Sequence, residues 1–254
     1  MRRLIIITNS GGEENFLPGI ALDKQNYLDF FHLPEGGLWE CNEIQCYNDN
    51  CSREVLSSYI LSCRLTQTLD YVVLVFCGHG YTHEVYGQMF ELSPDNEISL
   101  REIMQMMAYT RCLMIADSCR TIVRMEDGGQ IFRDRLFIES RESEQYKARC
   151  RNIYDDKFKL MSSGSFCIGN AASFNQAANE NNRGGLYSQV LLKTAKNIIN
   201  QKRLEQRTPY YNSVSSFSYV HSLASETVSS ETFGRQVPTY HAPRCNQPPF
   251  VVVP

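Results

Sequence analysis

Residues 71–80 read Tyr-Val-Val-Leu-Val-Phe-Cys-Gly-His-Gly, and residues 112–120 read Cys-Leu-Met-Ile-Ala-Asp-Ser-Cys-Arg. Each stretch is an apolar run rich in β-branched residues that stops at polar or turn-forming ones. Runs that are continuous rather than alternating mark strands buried on both faces of a parallel sheet. Leu4–Thr8 and Phe166–Gly169 share the pattern. Between these runs the apolar residues recur at helical spacing. One such stretch spans about Gly19 to Phe31, with Ile20, Leu22, Tyr27, Leu28 and Phe31 on its apolar face. A second opens at Ser52, a candidate N-cap, and carries Val55, Leu56, Tyr59, Ile60 and Cys63. A third has Ser99 as cap and Glu102 at the capping-box position. Leu186–Ile199 follows Gly184-Gly185, and a fifth helix is expected over Phe217–Phe233. Strands alternating with helices predict an α/β protein, a three-layer αβα sandwich with a mostly parallel central sheet.

Composition fits that class. The 254 residues are 43% hydrophobic and 21% charged, enough to bury a large core without disulfides. The net charge of -3 gives no reason to expect nucleic acid as a partner. No run approaches the ~18 apolar residues of a membrane span, so no membrane partner is expected. Ten cysteines are present with no CxxC pair, which argues against a structural zinc. Cys77, Cys112 and Cys167 lie in apolar runs and read as small buried hydrophobes. The apolar part of Met1–Thr8 is too short for a signal peptide, so it reads as a first strand in a reduced, cytoplasmic protein. Residues 120–159 stand apart, with ten basic and eight acidic side chains. That stretch reads as a solvated surface excursion or a long linker between two halves of one fold.

The chemistry is expected where the two opening runs end. Ligands of an open parallel sheet bind just beyond the carboxyl ends of its strands. There the sequence places His79, flanked by Gly78 and Gly80, and Cys119, forty positions later. A thiol is a weak nucleophile until it ionises, and a nearby imidazole can take its proton and pass it to a leaving amine. The backbone amides of Gly80 and Cys119 are natural donors to an oxyanion.

These residues resemble the caspase/metacaspase superfamily of cysteine peptidases. Phe76-Cys-Gly-His-Gly80 is similar to its histidine motif and Asp117-Ser-Cys-Arg120 to its nucleophile motif, nearer the metacaspase pattern than the animal one. Gln176, Ala178 and Glu180 resemble its Q-x-A-x-E segment, and Gly184-Gly-Leu-Tyr187 its small-subunit helix start. Gln236-Val-Pro238 and Phe250-Val-Val-Val253 resemble its closing loop and last strand. The resemblance implies one caspase-like domain over 1–254. Residues 1–123 would form the large-subunit part, 124–160 a charged linker and 161–254 the small-subunit part.

It further implies a cysteine endopeptidase with a His79/Cys119 dyad, with Gly80 assisting, acting on a protein or peptide substrate in regulated cleavage. The side chain two before the nucleophile lines the S1 pocket in this superfamily. Here it is Asp117, whose carboxylate would select Arg or Lys at P1 and repel Asp; a carboxylate that only bonds nearby backbone amides is the alternative. A second pocket acid is often found where this chain has the neutral Asn175. Self-cleavage is expected in the charged linker, at candidates Arg133, Arg135, Arg141, Lys147, Arg149 and Arg151. A monomer is favoured over a homodimer. The competing reading is a catalytically silent interaction or scaffold module of the same fold. A nucleotide-binding protein is the weakest reading, because Gly11-Gly12 matches no phosphate-loop pattern.

Other residues carry plainer expectations. Neither Glu126-Asp127 nor Asp155-Asp156 has the ligand density of a calcium loop, so no metal or cofactor is expected. Asp23 reads as a solvated charge on the first helix, and His83 as a surface residue in a loop. His32, His221 and His241 have no evident partner, and Trp39 is either core or a pocket wall.

Overall fold

The computed structural model describes residues 1–66, 68–120, 142–205, 213–244 and 246–254. In chain order the first elements are β1 (Arg2–Asn9), α1 (Ile20–His32), β2 (Ile44–Asn48), α2 (Arg53–Thr66), β3 (Tyr71–Gly78) and β4 (Gly80–His83). Then come β5 (Gly87–Ser93), β6 (Asn96–Ser99), α3 (Leu100–Met106) and β7 (Arg111–Asp117). Beyond residue 141 follow α4 (Glu144–Lys159), β8 (Phe166–Asn170), β9 (Glu180–Asn181), β10 (Gly184–Gly185) and α5 (Leu186–Glu205). The chain closes with β11 (Ser213–Ser216), α6 (Phe217–Glu231), β12 (Thr239–His241) and β13 (Pro249–Val253).

The four continuous apolar runs form the middle of a six-stranded sheet in the order β12-β8-β7-β3-β1-β2. Its pairings are parallel except for β12 on β8. Successive side chains of a strand point to opposite faces, so each run supplies two cores at once. Leu4, Ile6, Val73, Val75, Leu113 and Ile115 pack on one face against Tyr27 and Phe30 of α1, Tyr154 of α4, Leu191 of α5 and Val220 of α6. Ile5, Ile7, Leu74, Phe76 and Met114 pack on the other against Leu56 and Ile60 of α2 and Ile103 of α3. Burial of each such side chain is worth roughly 1.5–3 kcal/mol, which is why the middles of these strands are apolar and their polar residues sit at the two ends. The three-layer αβα sandwich follows. Ser99 caps α3 with the reciprocal Glu102 bond of a capping box, and Ser52 accepts the Val55 N–H at the start of α2.

Three local expectations change. Within the stretch expected as linker, residues 144–159 are helix α4; Cys150, Tyr154 and Phe158, four apart, bury one stripe of an otherwise charged helix. Lys147, Arg149 and Arg151 therefore lie on a helix, while Arg133, Arg135, Arg141 and the Glu126-Asp127 pair lie outside the described residues. His83 ends strand β4, and its Nδ1 accepts the Val85 and Tyr86 N–H groups. Phe250–Val253 lies in the last strand, as the resemblance implies, and β13 pairs with β11 outside the main sheet.

Trp39 is core, with the Arg2 guanidinium 4.4 Å above its ring. His221 is buried and shares a 2.7 Å hydrogen bond with the Tyr187 hydroxyl. Asp155 of the Asp155-Asp156 pair accepts a hydrogen bond from Arg2. Among the described residues no helix is long and apolar enough to cross a membrane.

Candidate active site

Strands β3 and β7 pair with a constant offset of forty, from Tyr71 opposite Arg111 to Cys77 opposite Asp117. The last pair is Cys77 and Asp117, and His79 and Cys119 each follow it by two residues, in loops that stay in contact through the Thr82 hydroxyl on the Arg120 carbonyl. Neighbouring strands lie about 4.8 Å apart, so the spacing read in the sequence is the register of the sheet. Gly80 opens β4 beside this point; a Cβ there would come 2.9 Å from Ser118 Oγ, directly before the cysteine.

The two candidate groups are each held by a separate loop. His79 Nε2 lies 2.7 Å from the Asn15 carbonyl oxygen. A carbonyl only accepts, so Nε2 carries the proton and the lone pair is on Nδ1, the nitrogen that can act as base. Gly11 makes room for this contact: its φ is +79°, and a Cβ would run into both the imidazole and the Asn15 carbonyl. Cys119 Sγ receives the Ala178 N–H at 3.3 Å and lies 3.6 Å from the Ala178 carbonyl. Burial pushes the Cys119 thiol above its ordinary value. The Ala178 bond works against that shift, and the charges of Asp117 and Glu180 add to it.

Near the cysteine lie two buried carboxyl groups and a half-buried third. Asp117, 6% exposed, accepts the Ser188 N–H at 2.8 Å, and burial raises it to about 6. Asp23, 1% exposed, accepts the Gly185 N–H at 2.8 Å, while its Oδ1 is buried with no hydrogen-bond partner. Burial, then the charge of Asp117, holds Asp23 well above the usual carboxylate range. The expectation of a solvated charge at Asp23 is overturned: the Gly184-Gly185 hairpin closes over it. A Cβ on Gly185 would overlap the Asp117 carboxylate and one on Gly184 the Asp23 carboxylate, so both glycines are needed for this approach. Glu180 accepts the Gly19 N–H at 3.1 Å, and burial followed by Asp117 raises it to about 7. Cys77 is buried in the same place, pushed up by burial and then by Asp23 and Asp117. Among the described residues none of the three acids has an ion pair.

Asn175 sits beside Arg120, the residue after Cys119. It is exposed in a left-handed turn with φ of 60°, and its N–H donates to the Arg120 carbonyl at 3.1 Å. The second acid near Asp117 is Asp23, supplied by helix α1. Helical periodicity alone ranked it as polar and outward; the Gly-Gly pair was the signal that something must approach closely there.

A family model of the caspase domain matches residues 1–248. The chain belongs to the caspase family. No curated protein matches it. The match runs over both the β1–β7 part and the α4–β13 part, so this caspase-family chain is one domain of a cysteine-peptidase family. The loops that carry His79, Cys119 and Ala178 all leave the carboxyl edge of its parallel strands.

Proposed function

We propose that the chain is a cysteine endopeptidase that cleaves after Arg or Lys, with Cys119 as nucleophile and His79 as base. The Cys119 sulfur attacks the peptide carbonyl carbon as its proton passes to Nδ1 of His79. The resulting oxyanion is met by the Gly80 and Cys119 amides. The protonated imidazole then gives its proton to the departing amine, leaving a thioester that water hydrolyses. The Asn15 carbonyl supports this sequence by fixing the tautomer and stabilising the imidazolium.

The observation that carries the specificity is the uncompensated pair Asp23 and Asp117. Two buried carboxyl groups without a basic partner are costly, and a guanidinium or ammonium from outside offsets that cost. The Asp23 Oδ1, buried and without a partner, supports an acceptor waiting for such a cation. An acidic P1 would be repelled. Self-cleavage is proposed before helix α4, since a peptidase takes an extended chain and Lys147, Arg149 and Arg151 are helical. Arg151 is also paired with Glu40 and Glu43.

The test is hydrolysis of fluorogenic peptides with Arg, Lys, Asp or Ala at P1, run beside the Cys119→Ala variant. Cleavage after Arg or Lys that the variant lacks is the expected result. Cleavage after Asp would refute the pocket. Turnover surviving in Cys119→Ala would refute the nucleophile.

A further inference from the structure

The loop from Ala171 to Glu180 returns from β8 over Cys119 and is gripped by two glutamines. Gln236 is fully buried. Its Oε1 accepts from the Asn179 backbone N–H at 2.9 Å and from Asn179 Nδ2 at 3.0 Å, and its Nε2 donates to the Ala171 carbonyl at 2.9 Å. Gln176 mirrors it: Oε1 accepts the Val237 N–H at 2.8 Å and the Ser173 N–H at 3.3 Å, while Nε2 donates to the Gly234 carbonyl at 3.2 Å. The Gln176 carbonyl in turn accepts the Arg120 N–H at 3.0 Å. Both carboxamides thus tie the loop to residues 232–238, and its other side rests on Cys119 and Arg120.

An apolar side chain in the place of Gln236 would leave the Asn179 N–H and the buried Ala171 carbonyl without their partner. A fully bonded buried carboxamide adds direction rather than bulk. The Asn179 N–H and the Ala178 carbonyl belong to one planar peptide unit. The bond from Gln236 therefore sets the Ala178 carbonyl, which accepts the Cys119 S–H at 3.6 Å, and anchors Ala178, whose own N–H makes the shorter contact, donating to that sulfur at 3.3 Å. A donor aimed at sulfur favours thiolate over thiol.

The other groups around the sulfur do not supply this. Asp117 from β7 and Glu180 from β9 are acidic and oppose ionisation. Arg120 directs its guanidinium to the Ala172 carbonyl and Thr239 Oγ1, and His79 at the end of β3 is bonded to Asn15.

We propose that Gln236 is a positioning residue for Cys119: it fixes the 178–179 peptide so that the Ala178 N–H stays on the sulfur and sustains its reactivity. This rests on Cys119 as the nucleophile. The test is the rate of Cys119 alkylation by iodoacetamide against pH, followed on the intact chain by peptide mass mapping, with melting temperature recorded alongside. In Gln236→Leu the alkylation midpoint moves to higher pH and the rate at pH 7 falls about three- to tenfold, the loss of thiolate being partly offset by its greater nucleophilicity.

Ala178→Pro removes the N–H itself and gives the same shift with every glutamine bond in place. A Gln236→Leu chain that melts lower but keeps the parental midpoint would reduce Gln236 to a role in the fold and overturn the assignment. An unmoved midpoint in Ala178→Pro would overturn the role of the N–H, and with it the proposal. Alkylation needs no substrate, so a chain that behaves as expected here yet cleaves no peptide would refute the peptidase reading alone.

Discussion

Two buried clusters of charge occupy opposite ends of the same strands. At the amino end, Arg2 of β1 is 4% exposed and paired with Glu43 at 3.0 Å and Asp155 at 2.8 Å. It also donates to the Tyr71 hydroxyl and the Leu38 carbonyl, and lies over Trp39. Burial works against the charged Arg2, but Tyr71, Glu43 and Asp155 raise it above its ordinary value. Burial likewise pushes the Glu43 carboxyl up, while its bonds to Arg2 and the nearby Arg151 bring it below the usual range. At the carboxyl end, the buried Asp23 and Asp117 and the half-buried Glu180 have backbone donors and, among the described residues, no cation, and all three are raised. The first cluster is complete and belongs to the fold. The second lacks its counter-charge, and under the proposed function the substrate brings it.

The comparison breaks most visibly at Arg2. Arg2→Met leaves Glu43 and Asp155 without their buried partner and should cost on the order of 3–5 kcal/mol of stability. Thermal or denaturant unfolding measures this, and the P1 preference of the surviving folded protein stays as in the parent. Asp117→Asn should do the reverse. Turnover of Arg and Lys peptides falls by about 100-fold or more, the worth of roughly 3 kcal/mol for a desolvated charge pair, while the fold at pH 8 gains about 3 kcal/mol.

The sign of that gain follows from titration. The Asp117 carboxyl moves from 3.8 to about 6 on folding. Ionised Asp117 therefore opposes folding, with a cost absent below the unfolded value and complete above about 6. The stabilisation by Asp117→Asn should appear in melts at pH 8 and vanish in melts near pH 4.

A smaller effect is expected from pH alone. A basic P1 is bound by ionised acids, and Asp117 and Glu180 ionise only above about 6 and about 7. kcat/KM for Arg peptides should rise across that interval, and Glu180→Gln should move the midpoint down toward 6 with a loss of only a few-fold at pH 8. A profile flat from pH 5 to 8 would remove these acids from the pocket.

The strands that set this geometry were legible because β1, β3, β7 and β8 are buried on both faces, so their apolar runs have no interruption. The forty-residue spacing of His79 and Cys119 was legible for the same reason, being the β3–β7 register. Strand β2 escaped because Ile44–Asn48 mixes Gln and Asn into an edge strand that is only partly buried. Helix α4 escaped because three residues bury its whole stripe while charges cover the rest. Asp23 escaped because its burial comes from a hairpin some 160 residues away in sequence, and no local pattern encodes that contact. The Gln236 and Asn179 bond is equally non-local.

The central claim is that the acids under Cys119 are completed by a substrate cation. It is tested most directly by titrating the Cys119→Ala chain with two peptides that differ only in arginine against citrulline, its neutral isostere, at P1. Binding of the arginine peptide about 30-fold or more tighter at pH 8, with that ratio collapsing in a Cys119→Ala, Asp117→Asn double variant, is the predicted result. Equal affinity for the two peptides would contradict the account.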